Sequence, residues 1–219
     1  MTRERGAAAY LVTGVICFVL FFLLGIAVGH RGEPALLLAW EHSLFNEATP
    51  LAWRLTQSCY PMVLIPICVV LLVVALAVRA WRVRILMSIV ALLISWRGAD
   101  FFQHYFSRPR PLDWVVKHEL TFSYPSSHAA IAFGFYGLWA ALLYYSDLPK
   151  PLRLGAAALL AIFALAICWS RLALGAHYLT DLVGGALFGL TAAVISVAVV
   201  VGFFGRVAGP DAPGQNRAA

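Results

Sequence analysis

The chain has 219 residues, 62% of them hydrophobic and only 12% charged, with a mean hydropathy of +0.85. A soluble domain averages roughly 45–50% apolar and about 25% charged residues, so composition excludes an ordinary water-soluble globule and points to an integral membrane protein. The net charge of +6 then reads as a topology signal ahead of nucleic-acid binding, and no nucleic-acid partner is expected.

Arg3 and Arg5 precede an apolar run from Ala7 to Gly29. The run is long and no small-residue cleavage site follows, so it is read as a first, uncleaved spanning helix. From His30 to Ser58 the pattern is mixed. Leu37, Leu38, Trp40, Leu44 and Phe45 fall near helical spacing against Glu41, His42 and Glu47, and Trp40 and Trp53 are typical interfacial anchors. One or two short helices on the outer surface are predicted. A second span runs from about Tyr60 to Val78, followed by the basic turn Arg79–Arg84 and a third span from Ile85 to about Phe106. In that third span Arg97, Asp100 and His104 recur at helical spacing with Gln103 alongside, a polar face expected to look into the bundle. Arg97 and Asp100 fit either a pair that neutralises itself or a direct catalytic role.

Ser107 to Tyr124 reads as a polar, proline-rich loop. Pro125-Ser126-Ser127-His128 leads into a fourth span reaching roughly Tyr145, and a turn from Asp147 to Arg153 follows. The fifth span covers Leu154 to about Ser170 and the sixth Leu182 to Phe204, with a tail after Arg206 expected to be disordered. The predicted fold is all-α, an integral membrane bundle of about six transmembrane helices with short outer interfacial helices. The four cysteines lie far apart and imply no disulfide and no metal cluster.

With about six spans both termini share one side, together with the Arg79–Arg84 and Lys150–Arg153 turns, and positive charge makes that side cytoplasmic. The opposite face then collects the Arg108 loop, Ser126-Ser127-His128 and the stretch from Ser170 to Asp181. Basic residues on that outer face are exceptions to the rule and suggest an anionic ligand.

Polar side chains are costly in the Ser170–Asp181 stretch, which lies between two apolar runs. Arg171 offers a planar fork of donors for phosphate or carboxylate. Asp181 follows His177 by one helical turn and can accept its N–H, leaving the other ring nitrogen free to attack. The same residues fit a structural reading, with Arg171 snorkelling, His177 satisfying a loop carbonyl and Asp181 capping the next helix. Two arginines, two histidines, an aspartate and a serine-rich turn at one face are what phosphoryl transfer needs, since charge builds on the equatorial oxygens. No metal-ligand spacing and no P-loop accompany them.

Arg110-Pro111, then Pro125-Ser126-Ser127-His128, then Ser170-Arg171-x5-His177-x3-Asp181 resemble the three signature motifs of the type 2 phosphatidic acid phosphatase family. The third motif matches at every defining position, and in the second Ser127 stands where glycine is commonest. In the first, Gln103 stands where the family places lysine, seven residues before the arginine. The resemblance implies a single transmembrane phosphatase domain over 1–206, with its motifs within 103–185. His177 would be the nucleophile, Asp181 its orienter and His128 the general acid. Arg110, Arg171, Ser126 and Ser127 would hold phosphate, with Gln103 at the lysine's place, and Arg97, Arg108 or Lys117 are candidates to supply the missing charge. The implied function is removal of phosphate from a lipid phosphomonoester or diphosphate, undecaprenyl diphosphate or phosphatidate-type, at the outer leaflet through a phosphohistidine. A lipid phosphotransferase using the same residues, and a non-catalytic lipid-binding or transport relative, are the alternatives. No cofactor or metal is expected, and the expected partners are the lipid phosphate substrate and membrane lipids.

Overall fold

The computed structural model describes residues 3–29, 31–44, 50–112 and 119–204. Phe45, Glu47, Lys117 and the expected tail after Arg206 lie outside the described residues. Every regular element among those described is helical: α1 (Arg3–Gly29), α2 (Ala35–Leu44), α3 (Pro50–Gln57), α4 (Pro61–Ala77), α5 (Arg82–Phe106), α6 (Ser127–Ile131), α7 (Leu138–Tyr144), α8 (Lys150–Ala173) and α9 (Leu179–Phe204). A π-helical turn, Ala132–Gly137, joins α6 to α7 into one apolar rod. Five helical segments are long and apolar enough to span a bilayer, and α3 with α4 makes a sixth, bent by 48°. The chain is an all-helical integral membrane protein. The bend has a local cause. Pro61 opens α4 without an N–H to donate, and Tyr60 before it is extended, the conformation that a following proline imposes.

Helix α9 is the centre of the bundle, packed by α1, α5, α6 and the π turn, while α8 packs on α3, α7 and the π turn. Close approach of α6 to α9 depends on missing side chains. A Cβ at Gly185 would run into the Ser126 carbonyl, and one at Gly189 into the Ala130 carbonyl. Small residues let helices meet where bilayer lipid offers no hydrophobic drive to association. The Ser126 N–H also donates to the Asp181 carbonyl at 3.1 Å, so the serine turn is pinned to the first turn of α9. Next to this contact Phe21 stacks on Tyr124 with ring centroids 5.7 Å apart, and both join Phe102, Phe106 and Phe188 in one aromatic cluster.

Ser107 ends α5 with φ 49°, in the left-handed region, its N–H returning to the Gln103 carbonyl at 2.9 Å. The Arg108-Pro109-Arg110-Pro111 segment then runs back along the chain before the serine turn, with Ser123 N–H donating to the Arg108 carbonyl at 2.8 Å. The expectation that the polar face of α5 looks into the bundle needs correction. Gln103 is buried, but Arg97 and His104 are exposed and Asp100 is half-buried. Arg97 lies 3.5 Å from Asp100, so the two pair with each other at the rim.

Candidate active site

The loop between α8 and α9 is built by a Schellman turn. Gly175 takes φ +67°, its N–H donates to the Leu172 carbonyl at 2.8 Å, and Ala176 N–H donates to that of Arg171 at 3.0 Å. This turn delivers His177 into the interior immediately before α9 begins. Asp181 Oδ2 accepts from Tyr178 N–H at 2.9 Å, a capping-box contact, and lies 3.4 Å from His177 Nδ1. The capping contact of Asp181 is therefore present, and the same carboxylate lies beside the His177 ring without a hydrogen bond to Nδ1.

Arg110 Nη1 is 2.9 Å from His177 Nε2 and donates to the Ala176 carbonyl at the same distance. A guanidinium only donates, so Nε2 carries the lone pair and the ring proton sits on Nδ1, which is 3.4 Å from Asp181 Oδ2 without a hydrogen bond to it. Burial lowers the His177 pKa first, and the charges of Arg110 and Arg171 lower it further, well below the ordinary histidine value. The imidazole is thus neutral at physiological pH, the state a nucleophile requires.

The two arginines meet through a residue that sequence reasoning missed. Glu119 Oε2 lies 2.9 Å from Arg110 Nη2, and its Oε1 accepts from Arg171 Nη2 at 2.7 Å and from the Tyr60 hydroxyl at 3.2 Å. Arg171 reaches Thr56 Oγ1 with its other nitrogen at 2.6 Å. Burial alone would raise the Glu119 carboxyl, but Arg171 and then Arg110 outweigh it and hold it well below the usual carboxylate range. Nothing in sequence spacing marks Glu119, a lone acid in a polar loop.

Gln103 donates from Nε2 to the Pro125 carbonyl and to Ser127 Oγ, each at 2.9 Å. Ser126 Oγ caps α6 by accepting from Ala129 N–H. His128 is buried with its ring edge-on to Tyr60, centroids 5.2 Å apart, and its Nε2 has no hydrogen-bond partner. A cavity of about 410 Å³ is lined by His177, His128, Arg110, Gln103, Ser127 and Glu119, together with Asp100, Tyr60, Trp96 and Ile131. Asp181, Arg171 and Ser126 are fully buried behind that lining. Every residue expected for the site is therefore gathered at one end of the bundle. Arg97 and Arg108 do not take the lysine's place: Arg97 turns outward to Asp100, and Arg108 pairs with Asp181 and Glu33.

Residues 81–204, more than half of the chain, match the family model of the PAP2 superfamily, and the chain belongs to that superfamily. YbjG of Escherichia coli (strain K12), provisionally named an undecaprenyl-diphosphatase, is 31% identical over 102 residues, which is 46% of this chain and 47% of YbjG. The match thus spans about half the length of that relative. A transmembrane PAP2 type phosphatidylglycerolphosphate phosphatase from Bacillus subtilis has the same fold, with a TM-score of 0.68 at 21% identity, covering 84% of this chain and 94% of that one. LpxE of Aquifex aeolicus aligns with a TM-score of 0.59 at 23% identity, over 76% of this chain and 97% of its own.

Two expected outcomes follow from the pairing of the arginines. The Glu119 carboxylate bridges two guanidinium groups, and an anion binding to those groups would have to compete with it. Glu119→Gln is expected to tighten inorganic phosphate binding about tenfold or more, because removing a like charge within contact range is worth over ~1.4 kcal/mol. Phosphate titration of the thermal unfolding midpoint checks this: the variant should gain more than the wild type. Gln103→Lys keeps donors for Pro125 and Ser127 and adds a cation beside the cavity. It should raise kcat/KM by about 10–100-fold, equivalent to roughly 1.4–2.7 kcal/mol. A double-mutant cycle with Arg97→Ala should be additive, since Arg97 faces away. A fall in activity restored by Arg97→Ala would show that Arg97 already serves there.

Proposed function

We propose that the chain is a lipid phosphate phosphatase acting through a phosphohistidine. The observation that carries this reading is the meeting of His177 with Arg110, and of Arg110 with Arg171 through the Glu119 carboxylate. The phosphate displaces Glu119 from the arginines, and Arg110, Arg171 and the Ser126–Ser127 turn hold its oxygens. His177 Nε2 attacks phosphorus, the bond to the leaving oxygen breaks, and His128 gives that oxygen its proton. Water then attacks the phosphohistidine, returns a proton to His128 and frees inorganic phosphate. Guanidinium groups meet the charge on the transferring group, and no metal is required in this scheme.

Undecaprenyl diphosphate is the substrate this reading favours, supported by the name given to YbjG. The leaving group is then undecaprenyl phosphate. Phosphatidate-type phospholipids and phosphatidylglycerolphosphate, the latter named for the Bacillus subtilis structure, are the competing substrates. The charged turns Arg79–Arg84 and Lys150–Arg153 support cytoplasmic termini, which would put the site on the opposite, periplasmic or outer face of a bacterial inner membrane.

Purified protein given these lipids in turn should release inorganic phosphate, undecaprenyl diphosphate fastest, with EDTA making little difference. No release from any lipid, or full loss in EDTA restored by a divalent ion, would overturn the mechanism. Orientation has its own test. In a background without the native cysteines, Leu120→Cys should react with an impermeant thiol reagent on intact cells and Ala80→Cys should not. The reverse labelling would put the site in the cytoplasm.

A further inference from the structure

Arg108 is fully buried and is absent from the lining of the cavity where the reacting groups meet. Its guanidinium serves another carboxylate. Nη1 donates to Asp181 Oδ1 at 2.6 Å and to Thr180 Oγ1 at 2.8 Å, and Nη2 donates to Glu33 Oε2 at 2.9 Å. The group also lies over the Tyr178 ring, 4.4 Å from its centroid. Asp181 is therefore fixed at both oxygens: Oδ1 by Arg108, Oδ2 by the Tyr178 N–H, with His177 Nδ1 3.4 Å from Oδ2.

Glu33 fixes Arg108 in turn. Its Oε2 also accepts from Thr180 Oγ1 at 2.6 Å, so the same carboxylate grips the guanidinium and the first turn of α9. Gly32, at φ +69°, makes the bend after α1 that brings Glu33 there. Glu41 on α2 adds a second clamp, accepting from Leu179 N–H at 2.6 Å. Burial pushes the Glu41 carboxyl up to about 7, and neighbouring Glu33 adds to this. Burial also opposes the charge on Arg108, but Asp181 and Glu33 outweigh it and raise its pKa.

A carboxylate with no access to water pays a desolvation cost of several kcal/mol unless it is paired in good geometry. Without Arg108, Asp181 would take up a proton or turn from His177, and the imidazole would lose the negative charge 3.4 Å from Nδ1 that favours a proton there. We propose that Arg108, anchored by Glu33, is a positioning residue for phosphoryl transfer: it holds Asp181 in the orientation that fixes His177, and it does not touch the phosphate. The inference rests on His177 being the nucleophile. Glu33 and Glu41 lie outside residues 81–204, so the anchor comes from the part of the chain ahead of the family match.

The test compares kcat, KM, the inhibition constant of inorganic phosphate and the thermal unfolding midpoint for Arg108→Gln, Arg108→Lys and Glu33→Gln in the full-length protein. Arg108→Gln should lower kcat about 10–100-fold, the range for losing an outer partner of a reacting histidine, while phosphate inhibition changes less than about threefold. Arg108→Lys should recover part of kcat, and Glu33→Gln should lower kcat by a smaller factor, again with phosphate inhibition intact. Should Arg108→Gln fail to fold, the lysine and Glu33 variants carry the same comparison. Weakened phosphate inhibition with kcat preserved would make Arg108 a phosphate ligand and overturn the proposal. So would an unchanged kcat with only a lower unfolding midpoint. The underlying reading fails separately, if His177→Ala still turns over with wild-type Arg108 in place.

Discussion

His177→Ala is expected to bring phosphate release from every lipid substrate to background, a loss of about 10⁴-fold or more, as for other enzymes stripped of a nucleophile. The change removes Nε2, the atom that attacks phosphorus in the proposed mechanism, and leaves the contacts of Glu119 with Arg110 and Arg171 in place. Phosphate should therefore still raise the unfolding midpoint of the variant, showing a folded protein with its anion site intact. Residual turnover above about 1% of wild type would exclude an obligatory covalent step at this residue.

His128→Ala should show a loss that depends on the leaving group. His128 lines the cavity, and its Nε2 has no hydrogen-bond partner among the described residues. Proton transfer to a departing alkoxide or phosphate is worth about 10²–10⁴-fold. A nitrophenolate leaves without that help, so nitrophenyl phosphate should lose less than about tenfold. Steady-state rates on both substrates check this. Equal losses on the two would remove His128 from the acid's role and leave it a packing residue beside Tyr60.

The spanning helices were readable in the sequence because they are long apolar runs bounded by charge, proline or glycine, and the candidate site residues stood out because they cluster in short motifs. Ser126, His128, Arg171, His177 and Asp181 sit at fixed spacings on elements whose ends the chain itself marks, such as Gly175 after α8. What could not be read was the pairing across the fold. Glu119, Glu33 and Thr56 come from separate segments, and only the bundle brings them to Arg110, Arg108 and Arg171. Arg108 and Arg110 look alike in an Arg-Pro-Arg-Pro segment, yet one turns to Asp181 and the other to His177. The direction of the α5 polar face differs from the expectation for a related reason. Periodicity places Arg97, Asp100 and His104 on one face but does not say whether that face meets a neighbour or the rim of a cavity.

The most direct test of the phosphohistidine reading is to quench the protein in base during turnover of a lipid labelled with ³²P in its terminal phosphate, then digest it and map the label. A base-stable, acid-labile label on the peptide carrying His177, absent from His177→Ala, is the expected result. Rapid phosphate release with no trapped label, or a label on the peptide carrying His128, would contradict it.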